Sequence, residues 1–401
     1  MTRPAISTMP LRPGTARLLL VLVAVIVAAC SGPVLANPPV AHPVVTPQPS
    51  AAPRLPDPQP VVLPRDDGPH DRMTEWWYYT GHLRATDGQR FGFEYVVFRA
   101  ERGGFPVTWA SHLALTDETG SAFHYAQRTE IGTQVDGSPR GPDGKPDGFA
   151  LTVAGMDPTG AAPPGSSPWT MTGTGGTDRL AAAATGAEVS GDPVAGFGLA
   201  LALSARKAPA LHGVDGWIDF GPAGGSYYYS RTDMAATGSV RLGDETLEVT
   251  GDAWFDHQWG DFISVGGGGW DWFAVNLDDG TDLTISLVRA ADGSYPLVYG
   301  TLVAPDGATR HLGPADLAVD VTDRWTSPAT GARYPAGWTV SIPGERLVIA
   351  LRPTVAHQEL DTRASTGVVY WEGSQRVTAT RDGAPVGGSA YVELTGYAAG
   401  P

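Results

Sequence analysis

Cysteine is all but missing from this chain of 401 residues: there is one, Cys30, so no disulfide framework can form within it. Charged residues make up only 17%, and no long heptad pattern runs through the sequence, which excludes coiled coils and charge-laced helical arrays. The clearest apolar run, Leu18 to Ala29, is too short for a comfortable membrane-spanning helix. No GxSxG elbow is present, so an ordinary serine hydrolase is not indicated. The glycine clusters GVDGW, GPAGGS and GGGGW are not followed by helical patterns, which removes them as phosphate loops. Positive charge is scarce as well. The formal balance is -15, and the first thirty residues hold three Arg and no acid, so without them it becomes -18. A surface that acidic repels phosphate backbones and excludes nucleic acid as a partner.

What is abundant points elsewhere. With 52 Gly, 35 Pro and 12 Trp, the composition favours short strands and many turns over helices, and the length suits two domains. At the N-terminus, Arg3, Arg12 and Arg17 precede the Leu18–Ala29 run, which reads as the apolar part of an export signal. That run ends in VAAC. Small residues leading into a cysteine match a bacterial lipoprotein signal, in which Cys30 is lipidated, begins the mature protein and anchors it to the extracytoplasmic face of a membrane. A plain secretory peptide cut near Ala36 is the alternative. The expected organisation is a signal over residues 1–30, a proline-crowded tether over 31–64, and folded domains over 65–262 and 263–401.

Period-two alternation predicts strands. In EWWYYTGHL, Trp76, Tyr78, Thr80 and His82 take one face, while Glu75, Trp77, Tyr79 and Leu83 take the other; aromatics on both faces mean both are covered. The turn ATDG then leads into FGFEYVVFR, completing a hairpin. A repeat follows. WDWFAVNLDDG lays Trp270 on Trp76 and Leu277 on Leu83, and TGSVRLGDETLEVTGDAWFDHQWG has a later counterpart beginning at Thr366. Each half opens on a Trp-rich hairpin and closes on an aromatic strand, which predicts an all-β protein of two consecutive antiparallel barrels joined near Asp261 to Gly269. Residues Thr133 to Gly191 read mainly as long loops between short strands.

Taken in order, EWWYYTGHL, GDAWFDHQWG, WDWFAVNLDDG, SPATGARYPAGW, VVYWEG and YVELTGY resemble the AttH/CrtC-type lipocalin-like family, from about Pro69 to Tyr397. That family includes carotenoid 1,2-hydratase (hydroxyneurosporene synthase) and relatives labelled as secreted hydrolases. The resemblance implies two tandem lipocalin-like antiparallel β-barrels and, in the hydratase branch, addition of water across an isoprenoid double bond. It also implies a His and a Trp at the positions of His257 and Trp259, with a downstream catalytic aspartate for which Asp271 is the nearest match.

The residues themselves support such chemistry. Protonating an unactivated alkene needs a carboxylic acid kept neutral by an apolar pocket, or an imidazolium beside it, together with aromatic faces for the carbocation. His257, Asp271, Asp256 and Glu94 are the catalytic candidates; Trp259, Trp270, Trp272, Trp76, Trp77, Tyr79 and His112 are the substrate-binding ones. Asp256, His257 and Gln258 can equally form a buried network locking the two domains. Glu94, inside an apolar strand, is expected to pair with Arg99, His112 or Arg128. One aromatic pair of Trp76/Tyr78 and Trp77/Tyr79 should fill a core, and the other should face the junction containing His257. The histidines lack tight ligand spacing, so neither metal nor other cofactor is expected. Two readings stay open: an enzyme hydrating or hydrolysing a hydrophobic substrate, or a carrier that binds an isoprenoid or lipid unchanged.

Overall fold

Large side chains on both faces of Thr74–Ala85 leave that segment no solvent side, and it lies at the centre of a sheet in the computed structural model, which describes residues 56–156, 160–262 and 267–398. Cys30 and the expected export signal lie outside the described residues. The strand pairs on one side with Arg90–Ala100 and on the other with Glu245–Phe262, so the last strand of the first half closes against its opening strand. The second half repeats the arrangement: Gly267–Leu277 is flanked by Asp282–Ala290 and by Ala384–Thr395.

Two antiparallel sheets result, of 13 and 10 strands. In space the first runs Trp169–Thr174, Thr177–Thr185, Gly196–Ala205, Gly224–Leu242, Glu245–Phe262, Thr74–Ala85, Arg90–Ala100, Thr108–Asp117, Ala122–Ile131. The second runs Ala318–Thr326, Arg333–Ile342, Leu347–Pro353, Val369–Arg381, Ala384–Thr395, Gly267–Leu277, Asp282–Ala290, Leu297–Val303, Thr309–Leu312. Over these nine strands the two orders correspond; Phe149–Val153 and Ser190–Gly191 extend the ends of the first, and Ala210–Leu211, Trp217–Asp219 and Glu359–Asp361 pair off the two paths. Both sheets curl in the lipocalin-like manner, and only short 3-10 turns interrupt the strands among the described residues. In the first sheet the open seam beside Phe149–Val153 is bridged by side chains. Arg128 donates to the carbonyls of Val153 and Ser167, and Glu130 accepts from the amides of Ala154 and Gly155.

Two details differ from the sequence expectation. The turn bonds Gly88 N to Ala85 O and Gly280 N to Leu277 O match Leu277 with Ala85, so the overlay on Leu83 slips by two residues. A slip of two keeps every side chain on its face, which is why the repeat was still visible. The stretch 133–191 also holds more strand than loop patterning implied, with strands at Phe149–Val153, Trp169–Thr174, Thr177–Thr185 and Ser190–Gly191. Gly268 and Gly269 are positions of close approach, since a Cβ on either would meet the carbonyl oxygens of Ala290 or Thr395 at 2.3 and 2.4 Å.

Each curled sheet is filled by its own side chains. Trp77, Tyr79, Phe91, Phe93, Tyr95 and Trp169 are fully buried inside the first; Phe273, Ile285, Tyr334 and Trp338 fill the second. Burying side chains of this size contributes on the order of 2–3 kcal/mol each before entropy is counted. The interiors are therefore cores. A third cluster, Tyr78, Val96, Trp254, Trp272, Ala274 and Tyr391, lies between the sheets where their outer faces meet.

Candidate functional site

The alternation along Glu245–Phe262 divides its block of functional residues between two environments. Phe255, His257 and Trp259 point into the first core, while Trp254, Asp256 and Gln258 point toward the second sheet. The same holds for Thr74–Ala85: Trp77 and Tyr79 are core, and Trp76 and Tyr78 face the junction. At the junction lies a cavity of about 120 Å³. Its wall includes Trp76, Tyr78, Phe98, Tyr228, Trp270 and Trp272, and its acids are Glu94, Asp256 and Glu393. Trp270, 38% exposed, stands at the outer edge. No Lys, Arg or His is among the lining residues.

Carboxyls in an aromatic wall without a cation are pushed toward the neutral form. Burial raises Glu94 from 4.5 to about 8, reinforced by the neighbouring Glu393. Burial likewise raises Glu393 to about 7, opposed by the Trp270 indole, which donates to Oε2 at 3.1 Å. Glu372 adjoins them and is held well above its ordinary value by burial and by the neighbouring acids; it accepts from Tyr78 OH at 2.8 Å. Asp256 is raised by burial to about 7, but Ser230, Tyr228 and Trp254 pull the other way. Tyr228 OH donates to its Oδ2 at 2.6 Å, while Trp254 Nε1 at 2.6 Å and the Ser230 hydroxyl both donate to Oδ1. Of the acids, Asp256 is thus the one best provided for as an anion.

Glu94 is provided for as an acid, and a hydrogen-bond chain behind it shows why. Gln127 Nε2 donates to the Asp361 carbonyl at 2.9 Å, which fixes the amide and turns Oε1 toward Ser365 at 2.7 Å. That oxygen can only accept, so it takes the Ser365 proton. His112 Nε2, 2.9 Å from Ser365 Oγ, must then be the N–H, because burial pushes His112 down to about 3 and keeps it neutral with a single ring proton. His112 Nδ1 is left bare and accepts from Tyr370 OH at 2.7 Å. Tyr370 has no second proton for Glu94 Oε1, 2.9 Å away, so that contact is a hydrogen bond only when Glu94 itself supplies the proton. Its other oxygen, Oε2, is buried and has no partner.

The remaining sequence candidates lie elsewhere. Glu94 is not ion-paired: Arg99 bonds Glu101, Arg128 bonds Glu188, and His112 reaches Glu94 only through Tyr370, because the outward face offers hydroxyls where a cation was expected. His257 sits in the first core, stacked on Trp77 and donating from Nε2 to Glu75 Oε1 at 2.9 Å; burial pushes it down, so it is neutral. Trp259 stacks on His70 in the same interior. Asp271 points into the second core, where Arg289 Nη1 at 2.8 Å and Tyr397 OH at 3.0 Å hold it. His112, expected as a substrate contact, is not part of the cavity wall and reaches the cavity acid only through Tyr370. Trp76, Trp270 and Trp272 do line it; Trp77 and Tyr79 do not.

Metal-ligand chemistry has one grouping among the described residues: His70, Glu75 and His257 place donor atoms within 4.8 Å of one another. Both imidazoles address the same Glu75 Oε1, at 2.7 and 2.9 Å, which are hydrogen-bond lengths. The charge of Glu75 with that of Asp66 outweighs burial and raises His70, while Glu75 itself is lowered despite burial. Both imidazoles thus bond the Glu75 carboxylate, and the trio reads as a core network.

Tyr228, Tyr370, Glu372 and Glu393 were not singled out from sequence. Glu393 carried a signal, an acid at an alternating position in the apolar strand YVELTGY, like Glu94 in its own strand. Tyr370 and Glu372 find their partners, Glu94 and Tyr78, on the opposite sheet, and Tyr228 bonds both Asp256 of its own sheet and Trp272 of the other.

The family description AttH-like matches residues 54–397. The chain belongs to the AttH-like family. A crystal structure from Nitrosomonas europaea described as an AttH protein is 31% identical, with a TM-score of 0.69 over 87% of this chain and 100% of that one. Kievitone hydratase from Nectria haematococca shares the fold at 15% identity, with a TM-score of 0.61 over 84% of this chain and 93% of that one. No curated protein matches the sequence. Within this family member, the junction cavity is where the acids and the aromatic wall meet.

Proposed function

We propose that this AttH-like protein adds water to, or removes it from, a hydrophobic unsaturated molecule bound between the two sheets. Neutral Glu94 is the general acid and Asp256 the base. The observation that carries this reading is the chain from Asp361 to Glu94, which requires a proton on a carboxyl lining an aromatic cavity. In the hydration direction, the Glu94 O–H gives its proton to an alkene carbon, whose π electrons form the new C–H bond. The carbocation left behind faces Trp76, Trp270 and Trp272, whose rings attract positive charge. Water then forms the C–O bond, and its released proton goes to the Asp256 carboxylate. A half-turn about the soft terminal torsion of Glu94 exchanges its two oxygens and carries the proton from Tyr370 to the unpartnered position.

The cavity is small, so it encloses the reacting segment of a longer molecule whose remainder runs past Trp270. A carrier would need the same wall but gains nothing from uncompensated buried acids, which cost stability. The protein's work outside the cytoplasm, tethered through lipidated Cys30, is part of this proposal and rests on the leader alone. The test is incubation with a panel of isoprenoid and prenylated aromatic alkenes in ¹⁸O-labelled water. Hydration places one ¹⁸O in a tertiary alcohol with the wild type and none with Glu94→Gln. Bound ligand recovered unchanged across the panel would favour the carrier.

A further inference from the structure

Behind Asp256 a second chain of side chains begins, and its far end differs from that behind Glu94. Ser230 donates to Asp256 Oδ1. His212 Nε2 lies 2.6 Å from Ser230 Oγ, and its Nδ1 lies 2.9 Å from Thr301 Oγ1. Thr301 Oγ1 is 3.5 Å from Nδ1 of His311, an exposed residue on Thr309–Leu312. Ser230, His212 and Thr301 are fully buried. The chain crosses the junction: Ser230 and His212 belong to the first sheet's side, Thr301 and His311 to the second. Where the Glu94 chain stops at an amide and a backbone carbonyl, which neither supply nor take up protons near neutral pH, this one stops at a solvent-facing imidazole.

We infer that Ser230, His212 and Thr301 form a proton relay through which Asp256 exchanges its proton with solvent at His311. The inference rests on the role given to Asp256 above. With Asp256 ionised, every hydrogen in the chain is assigned: Ser230 gives its only proton to the carboxylate, so neutral His212 donates from Nε2 and is bare at Nδ1. Thr301 donates to Nδ1 and accepts from His311. One concerted shift moves each hydrogen across its own bond. One proton enters at His311, Ser230 passes one to Asp256, and His212 changes from the Nε2–H to the Nδ1–H tautomer; the reverse shift expels the proton. Nothing is oxidised or reduced. Such a route serves a cavity closed by an apolar molecule, where Asp256, after taking the proton of the reacting water, cannot pass it to bulk solvent from the front. These are positioning and relay residues; none is placed against the substrate.

The test needs no substrate. In protein labelled with ¹⁵N-histidine, His212 should show its proton on Nε2 and a bare Nδ1. Exchange of that N–H with solvent should slow at least tenfold in Thr301→Val, which keeps the shape and removes the hydroxyl. His311→Leu, at an exposed site, should slow it too and serves if Thr301→Val does not fold. An Nδ1–H tautomer in the resting protein, or exchange unchanged in a folded variant, overturns the relay. A wild type that exchanges as expected yet hydrates nothing in the ¹⁸O assay would sink the proposed reaction and leave the relay standing.

Discussion

Glu94 and Asp256 are two acids in one cavity whose surroundings prepare them for opposite states. Because Glu94 must be protonated and Asp256 ionised, turnover should fall below about pH 7 and again above about pH 8. A pH–rate profile in wild type, losing its alkaline limb in no variant other than those of Glu94 and its chain, checks the assignment. Stability should follow the same group. The folded-state value of Glu94 is raised above its ordinary 4.5, so its neutral form costs nothing extra at pH 4; the penalty for ionising it grows as pH rises and is complete above about 8. Glu94→Gln should therefore melt several degrees above wild type at pH 9, converge with it near pH 5, and lower turnover by about 10²–10⁴-fold. Tyr370→Phe should lower turnover less, since it loosens the acid without removing it. Sequence reading found Glu94 because an acid between Phe93 and Tyr95 breaks the apolar alternation. It could not find that a tyrosine 276 positions away, not a nearby arginine, would be its partner.

For single strands, the paired tryptophans of Thr74–Ala85 separate core from site. Trp77 is fully buried and bonds the Asp67 carbonyl from Nε1 at 2.9 Å, so Trp77→Ala should cost about 3–5 kcal/mol in denaturant unfolding. Trp76 is only partly buried, and Trp76→Ala should cost less while weakening binding of an apolar probe in the cavity. His257→Ala separates the two sequence readings of that residue, catalytic group or member of a buried network. It removes a donor to buried Glu75 and leaves a gap beside Trp77, a loss on the order of 3 kcal/mol, with the cavity chemistry of the surviving folded fraction intact. A melting temperature unmoved by His257→Ala would contradict the core network. Alternation in GDAWFDHQWG correctly divided His257 from Asp256 between two faces. Both faces carry aromatics, however, so the pattern held no mark of which one met the second sheet.

Across the whole molecule, duplication and closure were legible while the site was not. Each half repeats its strand order and seals its last strand against its first, which the recurring Trp-rich hairpins foretold. The cavity, by contrast, is made only when the outer faces of two curled sheets meet, with Glu94, Asp256 and Tyr228 from one and Trp270, Trp272 and Glu393 from the other. Such a pairing has no local period. The leader adds a separate expectation: Cys30→Ser should release the protein from the membrane fraction of its host with no acyl mass at the N-terminus, and leave the melting temperature unchanged. The neutrality of Glu94 is tested most directly by infrared difference spectroscopy at pH 7, wild type minus Glu94→Gln, repeated after ¹³C labelling of glutamate. A protonated-carboxyl C=O band that shifts with the label and vanishes in the variant is the expected result. A difference spectrum containing only the paired carboxylate bands would show Glu94 ionised and contradict its role as the acid.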